Sequence, residues 1–247
     1  MTNWRGEVSG AAGTAHWLFT SRRGGSSAPP FDDWNLALHV GDDQAAVLRN
    51  RVAVARAGGF DPQRMVMMRQ CHSNAVEVVG GADQPAEIQG VDGLVTAEPD
   101  RAVVALAADC VPVALVEPQS GIVAAVHSGW QGMVNDVVGA ALAAMVDLGA
   151  DAQQIRASLG PAICGQCYPV PPERAQEAAE AWPDSRATAP DGQPGIDVRA
   201  GLRQRLRAAG VLVEYIGGCT AEDPELFSYR RDGLTGRQGV AVWWTRS

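Results

Sequence analysis

The sequence predicts a mixed α/β fold built of layered sheets, and three observations carry that expectation. Runs such as Val103–Ala108 and Ile122–Val126 are β-branched or small and apolar throughout, the pattern of buried strands bounded by turn signals. Helical patterns lie between such runs without strict βα alternation, which favours a mixed sheet over a doubly wound parallel one. The turn Glu117-Pro118-Gln119-Ser120-Gly121 joins Val111–Val116 to Ile122–His127 as a hairpin.

In chain order, Ala15–Thr20 is the first strand. Ser21–Ser27 follows with two cations, two glycines and several hydroxyls, equipped to meet a phosphate or ribose; a plain surface loop has the same composition. Helix Gln44–Ala57 is capped by Asp42 or Asp43 and ended by Gly58-Gly59. Met65–Met68, Ala75–Val79 and Leu94–Thr96 are strands, with polar, Gly-rich Gly80–Gly93 between the last two. Arg101–Gly132 holds the central strands. Beyond it Met133, Val134, Val137, Val138, Ala141, Leu142, Met145 and Val146 recur at helical spacing and predict one largely buried helix, stopped by Gly149. Ile155–Leu159 is a strand and Glu173–Trp182 a helix. Pro183–Pro194, rich in Pro, Asp and Gly, reads as a mobile excursion. Asp197–Ala209 is an Arg-rich amphipathic helix, and Val211–Ile216 and Val240–Trp244 are the closing strands.

The 247 residues carry a net charge of −8, which disfavours nucleic acid or an anionic membrane as partner but permits a small anion in a locally basic pocket. No apolar stretch approaches the roughly 20 residues of a membrane span. The N-terminus lacks the basic-then-apolar order of a signal peptide. With five scattered cysteines, these features predict a cytoplasmic protein with reduced thiols.

Three strand-like runs end on groups that bind metals: Met65–Met68 leads to Cys71-His72, Val103–Ala108 to Asp109-Cys110, and Ile122–Val126 to His127. Taken singly, a cysteine is most often a small buried hydrophobe and a histidine a hydrogen-bonded core group. Together, two imidazoles and one thiolate are a known ligand set for catalytic zinc, with a fourth position left for water. Asp109 beside them can orient a ligand or move a proton. A metal-free Cys110–His127 nucleophile–base pair is the competing reading. Cys164-Gly165-Gln166-Cys167 has CxxC spacing, but a structural zinc needs a second ligand pair and only Cys219 lies downstream, short of the usual tetrahedral count.

Phe19–Gly25 (FTSRRGG), Asn35-Leu36 with His39–Asp43 (HVGDD), Gln70-Cys71-His72, Ala108–Val113 (ADCVPV), Ala124–Trp130 (AAVHSGW), Leu159–Ile163 (LGPAI) and Phe227–Gly233 (FSYRRDG) follow one another over most of the chain. In these motifs the sequence resembles the laccase-domain (YfiH-like) family, also called polyphenol oxidases or peptidoglycan editing factors. The better-supported activity of that family is purine nucleoside phosphorylase with adenosine deaminase activity.

The resemblance implies a single domain over residues 1–247, an α/β/β/α layered sandwich with mixed sheets, and one zinc on His72, Cys110 and His127. It implies a pocket for a purine nucleoside (adenosine, inosine or methylthioadenosine) and phosphate, in a monomer or homodimer. Arg22 falls on the family's loop arginine and is expected to contact phosphate or ribose, joined by Arg69. Asn35 and Gln70 are expected to line the pocket, and Asp109, Arg22 and Gln70 to take part in catalysis. The older family name implies copper-dependent phenol oxidation. That reading asks for many histidine ligands, and this chain has four, with His16 and His39 expected away from the cluster. A cysteine hydrolase acting on cell-wall peptides through Cys110 and His127 is a further alternative. Two departures stand out. Gly129-Trp130-Gln131-Gly132 replaces the family's usual Gly-Trp-Arg-Gly, and a neutral amide cannot reproduce a bidentate guanidinium contact. Cys71 is an uncommon thiol beside the metal histidine; strand alternation would turn it away from the metal.

Overall fold

The computed structural model describes residues 3–81 and 84–246, and among these fourteen strands form three sheets. The first half of the chain supplies β1 (Trp4–Ser9), β2 (Gly13–Phe19), β3 (Met65–Arg69), β4 (Val76–Val78), β5 (Glu87–Gln89), β6 (Gly93–Thr96) and β7 (Ala102–Ala107). The second supplies β8 (Val111–Glu117), β9 (Ile122–Ser128), β10 (Arg156–Leu159), β11 (Arg186–Thr188), β12 (Pro194–Ile196), β13 (Leu212–Tyr215) and β14 (Gln238–Arg246). The helices are α1 (Gln44–Gly58), α2 (Trp130–Val134), α3 (Val137–Asp147), α4 (Pro172–Ala181), α5 (Val198–Ala208) and α6 (Tyr229–Asp232). One sheet has the order β1-β2-β14-β7-β3-β5, the other β13-β10-β8-β9-β6-β4, both mixed, and β11-β12 is a small hairpin.

The uniformly apolar strands are explained by three cores. Along β7, Val103 and Ala105 enter the core between the two sheets, while Ala102, Val104 and Leu106 face the layer covered by α1. Along β8 and β9, Ala114, Val116, Val123 and Ala125 face the same inter-sheet core, while Val113, Leu115, Ile122, Ala124 and Val126 pack against α3 and α5. A strand covered on both faces has no solvent side, so the alternation of a half-buried strand disappears. The result is the expected α/β/β/α layering.

The hairpin β8–β9 is antiparallel with Val113 opposite Val126. Asp43, not Asp42, caps α1 by accepting from the N–H groups of Ala45 and Ala46. Two expectations are corrected, and two strands are added. The helix from Met133 is two: Asp136 takes φ 58° and caps α3 by accepting from Gly139 N, so Asn135-Asp136 breaks the apolar run into α2 and α3. Pro183–Pro194 is no mobile excursion, because Arg186 and Thr188 pair with Ile196 and Pro194. The polar edge strands β1 and β5 have no sequence counterpart, since an edge strand with one wet face needs few apolar residues.

The layering also places the functional groups. After β3 the chain leaves the first sheet through Gln70–Ala75 and enters the second at β4; after β7 it makes the same passage through Ala108–Cys110 into β8. His127 sits on β9 in phase with Val123 and Ala125, on the inter-sheet side. Two crossings and one strand end therefore meet at one mouth of the sandwich.

Candidate metal centre and its cavity

At that mouth the donor atoms of His72, Cys110 and His127 all lie within 4.8 Å of one another, with His72 Nε2 3.8 Å from Cys110 Sγ. The two imidazoles meet edge to face, ring centroids 5.0 Å apart. His127 is held by Asp92, whose Oδ1 lies 2.8 Å from His127 Nδ1. That bond engages Nδ1 and leaves Nε2 available as a donor to a metal, the carboxylate–histidine arrangement that orients metal-binding histidines. Asp92 is fully buried and also accepts from His72 N at 3.0 Å, Cys71 N at 3.2 Å, Ser73 N at 2.7 Å and Ser73 Oγ at 2.9 Å. One carboxylate thus fixes two of the three ligands. Burial would raise its pKa, but the bonds from His127 and Ser73 outweigh burial and hold the group well below the usual carboxylate range.

Two of the residues at the chain crossings have left-handed backbones without being glycine: His72 at φ 62° and Asp109 at φ 98°. Such conformations cost on the order of 1–3 kcal/mol and persist where the surroundings over-determine them. The mouth is also tight. A Cβ at Gly129 would lie 3.1 Å from both Cys110 Sγ and His72 Cδ2. In the metal-free chain, burial raises the Cys110 thiol, but the His127 and His72 imidazoles reverse this and bring it to about 6. Burial likewise depresses His127, and Cys110 and Asp92 reverse it to about 9. A thiolate beside two imidazoles, one backed by a carboxylate, is a donor set suited to zinc.

These groups form one end of a cavity of about 600 Å³, a volume that accommodates a nucleoside-sized ligand. Its walls include Trp130, Tyr168 and Tyr229, with Arg230 stacked over the Tyr168 ring at 4.8 Å. Arg237 also reaches it. That guanidinium donates to the carbonyls of Thr235 and Gly236 and has no carboxylate within 4.0 Å among the described residues. Burial pushes its pKa down, the mark of a cation poorly compensated by its surroundings.

Several expected site residues stand elsewhere. Arg22 is outside the cavity lining: its guanidinium is taken up by Asp32 O at 2.7 Å, Asp32 Oδ1 at 3.0 Å and Asp232 Oδ2 at 3.2 Å. Asn35 is fully buried and bonds Ala37, Asp42 Oδ2 and Arg237 N, so it holds the segment behind Arg237 and does not reach the lining. Arg69 is exposed and also outside the lining. Asp109 does line the cavity, but its carboxylate already accepts from Thr220 Oγ1 (2.7 Å), Ser228 Oγ (2.7 Å) and Arg230 N (2.6 Å), which fits a wall brace and not a free proton carrier. Gln70 lines the cavity with its Nε2 donating to Leu106 O. His39, expected away from the cluster, lines it too, and Gln131 lies at its exposed rim. Cys71 is outside the ligand set, as expected, but for a different reason: β3 has ended by Gln70, and Cys71 lies in the turn around Asp92. Asp92, Arg230 and Arg237 were not legible as site residues. Of these only Arg230 sits in a recognisable motif.

A family model described as multi-copper polyphenol oxidoreductase laccase matches residues 16–245. The chain belongs to this laccase-domain family. Among the relatives of this family member is a protein of Mycobacterium tuberculosis named purine nucleoside phosphorylase, 46% identical over 242 residues, covering 97% of this chain and 96% of the relative. A protein from an unknown prokaryotic organism, named adenosine deaminase RL5, is 36% identical over 229 residues, 85% of this chain and 86% of its own length. In structure, this laccase-domain chain is similar to YlmD from Geobacillus stearothermophilus, with a TM-score of 0.86 and 30% identity over 96% of this chain and 93% of that one.

Proposed function

We propose that this laccase-domain enzyme is a cytoplasmic, zinc-dependent purine nucleoside phosphorylase that also deaminates adenosine, acting as a single domain. One observation carries the reading: the His72–Cys110–His127 triad and Arg237, which has no carboxylate partner among the described residues, line the same cavity. A nucleoside against the aromatic walls and an anion on Arg237 and Arg230 would lie side by side there. The names of the relatives support both activities.

Zinc on the two imidazoles and the thiolate would supply Lewis acidity and a neutral-pH source of hydroxide for deamination. The chain's own residues do the rest. Asp92 sets the tautomer of His127 and the backbone of His72, so the ligands are pre-arranged. For phosphorolysis, Arg237 and Arg230 hold phosphate, one of whose oxygens attacks C1′ of the ribose as the bond to the purine nitrogen breaks and the base departs with a proton. A guanidinium at this place stabilises the charge on the attacking group. Gln70, its Nε2 engaged by Leu106 O, keeps a carbonyl oxygen with which to accept from a purine N–H. Asp109, through Ser228 and Arg230 N, fixes the backbone from which Arg230 reaches the cavity.

The test is incubation of zinc-quantified protein with inosine or adenosine and phosphate, following free base, ribose 1-phosphate and inosine by chromatography. Formation of base and ribose 1-phosphate in equal amounts supports the reading. No product from either nucleoside, with zinc bound, sinks it. Copper-dependent phenol oxidation has less support, since His16 stacks on Trp243 and only His39 joins the triad at the cavity.

A further inference from the structure

A second set of metal-binding side chains lies outside that triad. The loop after β10 carries Cys164 and Cys167, and the loop after β13 carries Cys219 and Glu222. The strands β10 and β13 are parallel neighbours, and their pairing continues into the loops through an isolated bridge between Ala162 and Cys219. This brings three sulfurs and a carboxylate oxygen within 4.8 Å of one another, the carboxylate of Glu222 3.5 Å from Cys167 Sγ. CxxC spacing alone lacks the usual ligand count; the fold supplies the missing pair.

The backbone around Cys219 gives an independent indication. Cys164 N donates to Cys219 Sγ at 3.3 Å, so the first loop is already tied to that sulfur. Cys219 itself is buried.

We propose that Cys164, Cys167, Cys219 and Glu222 hold a second, structural zinc ion. Three thiolates and one carboxylate complete a tetrahedral shell with Zn–S near 2.3 Å and leave no open position, the mark of a structural site. Soft sulfur ligands exclude magnesium and calcium. The centre staples two loops that are otherwise joined by few bonds, and those loops build the cavity wall. Ile163 and Tyr168 line the cavity, and Thr220 donates to Asp109. The inference stands independently of the proposed activity, because it uses none of the residues of the first centre.

Zinc per chain, measured by mass spectrometry on protein prepared under reductant, tests it. Wild type should carry about two equivalents, and the His72→Ala/His127→Ala variant should keep about one. A thiol-blocking mercurial should release that remaining zinc. Adding Cys219→Ser, or the exposed Glu222→Gln where the serine variant fails to fold, should abolish it or lower its retention against a chelator. A His72→Ala/His127→Ala protein that is folded, has all thiols reduced and holds no zinc would overturn the proposal. So would a Cys164–Cys167 disulfide in the freshly reduced protein, or iron in place of zinc. Loss of nucleoside turnover in that variant bears only on the first centre.

Discussion

Asp92→Asn separates the metal centre from its support. The wild-type carboxylate accepts six hydrogen bonds, two at Oδ1 (His72 N, His127 Nδ1) and four at Oδ2 (Cys71 N, Cys71 Sγ, Ser73 N, Ser73 Oγ). Asparagine has the same shape but one acceptor atom. With its NH₂ on the first side it opposes His72 N; on the second it opposes Cys71 N and Ser73 N. Backbone N–H groups cannot turn into acceptors, so each orientation leaves at least one part-buried donor unmatched, at about 1 kcal/mol, the lower end of the cost for a buried one. Bonds to a charged acceptor, worth about 1.5–3 kcal/mol each, fall to neutral ones at the same time. His127 also loses the partner that fixes its tautomer, a change that typically lowers metal affinity about 10–100-fold, or about 1.4–2.7 kcal/mol. Competition with a fluorescent zinc chelator should show that loss at the first centre, alongside a lower melting temperature for the metal-free protein. Because the Asp92 pKa is depressed by folding, its stabilisation is present above the usual carboxylate range and fades as pH falls through and below it, so the variant should also lose part of the wild type's acid sensitivity. A folded variant with unchanged zinc affinity would refute the reasoning.

Gly129→Ala should weaken zinc binding with the circular dichroism spectrum retained, because its Cβ lands 3.1 Å from Cys110 Sγ and His72 Cδ2; full zinc content would count against the assigned ligands. In metal-free protein, iodoacetamide should alkylate Cys110 with a midpoint near pH 6, far below an ordinary thiol, and zinc should suppress the reaction. The thiolate's contribution to stability is lost as pH falls through about 6 and that of the imidazolium as pH rises through about 9, so the pair favours the metal-free fold most between those values. Arg237→Ala should raise KM for phosphate roughly tenfold or more with little change for inosine, as loss of a charge-assisted contact of about 1.5–3 kcal/mol requires. Gln131→Arg, at the exposed rim, should lower that KM if the family's usual arginine contacts the anion; initial-rate kinetics at varied phosphate measure both.

What was legible in the sequence follows from the range of each interaction. The central strands of the two sheets were readable because burial on both faces leaves apolar runs such as Val103–Ala107 that no turn or surface segment imitates. The convergence of His72, Cys110 and His127 was readable for a related reason: each lies at or shortly after the end of such a run, so naming the strand locates the candidate ligand. Asp92 was not readable, since it closes a polar, Gly-rich segment and draws its role from partners 19 to 35 residues away. Arg22 and Arg237 show the same limit from opposite sides. A loop of arginines and glycines looks like an anion site, yet Asp32 and Asp232 take up the Arg22 guanidinium, while Arg237, in an unremarked stretch before β14, has no carboxylate partner among the described residues and lines the cavity. Residue type sets what a side chain can bind, but whether its charge is still free depends on neighbours brought in by the fold. The cysteines make the point most sharply. Counted along the chain, Cys164, Cys167 and Cys219 fall one ligand short. Counted across the parallel pair β10–β13, they meet Glu222 and each other, because strands in register deliver their following loops to the same place.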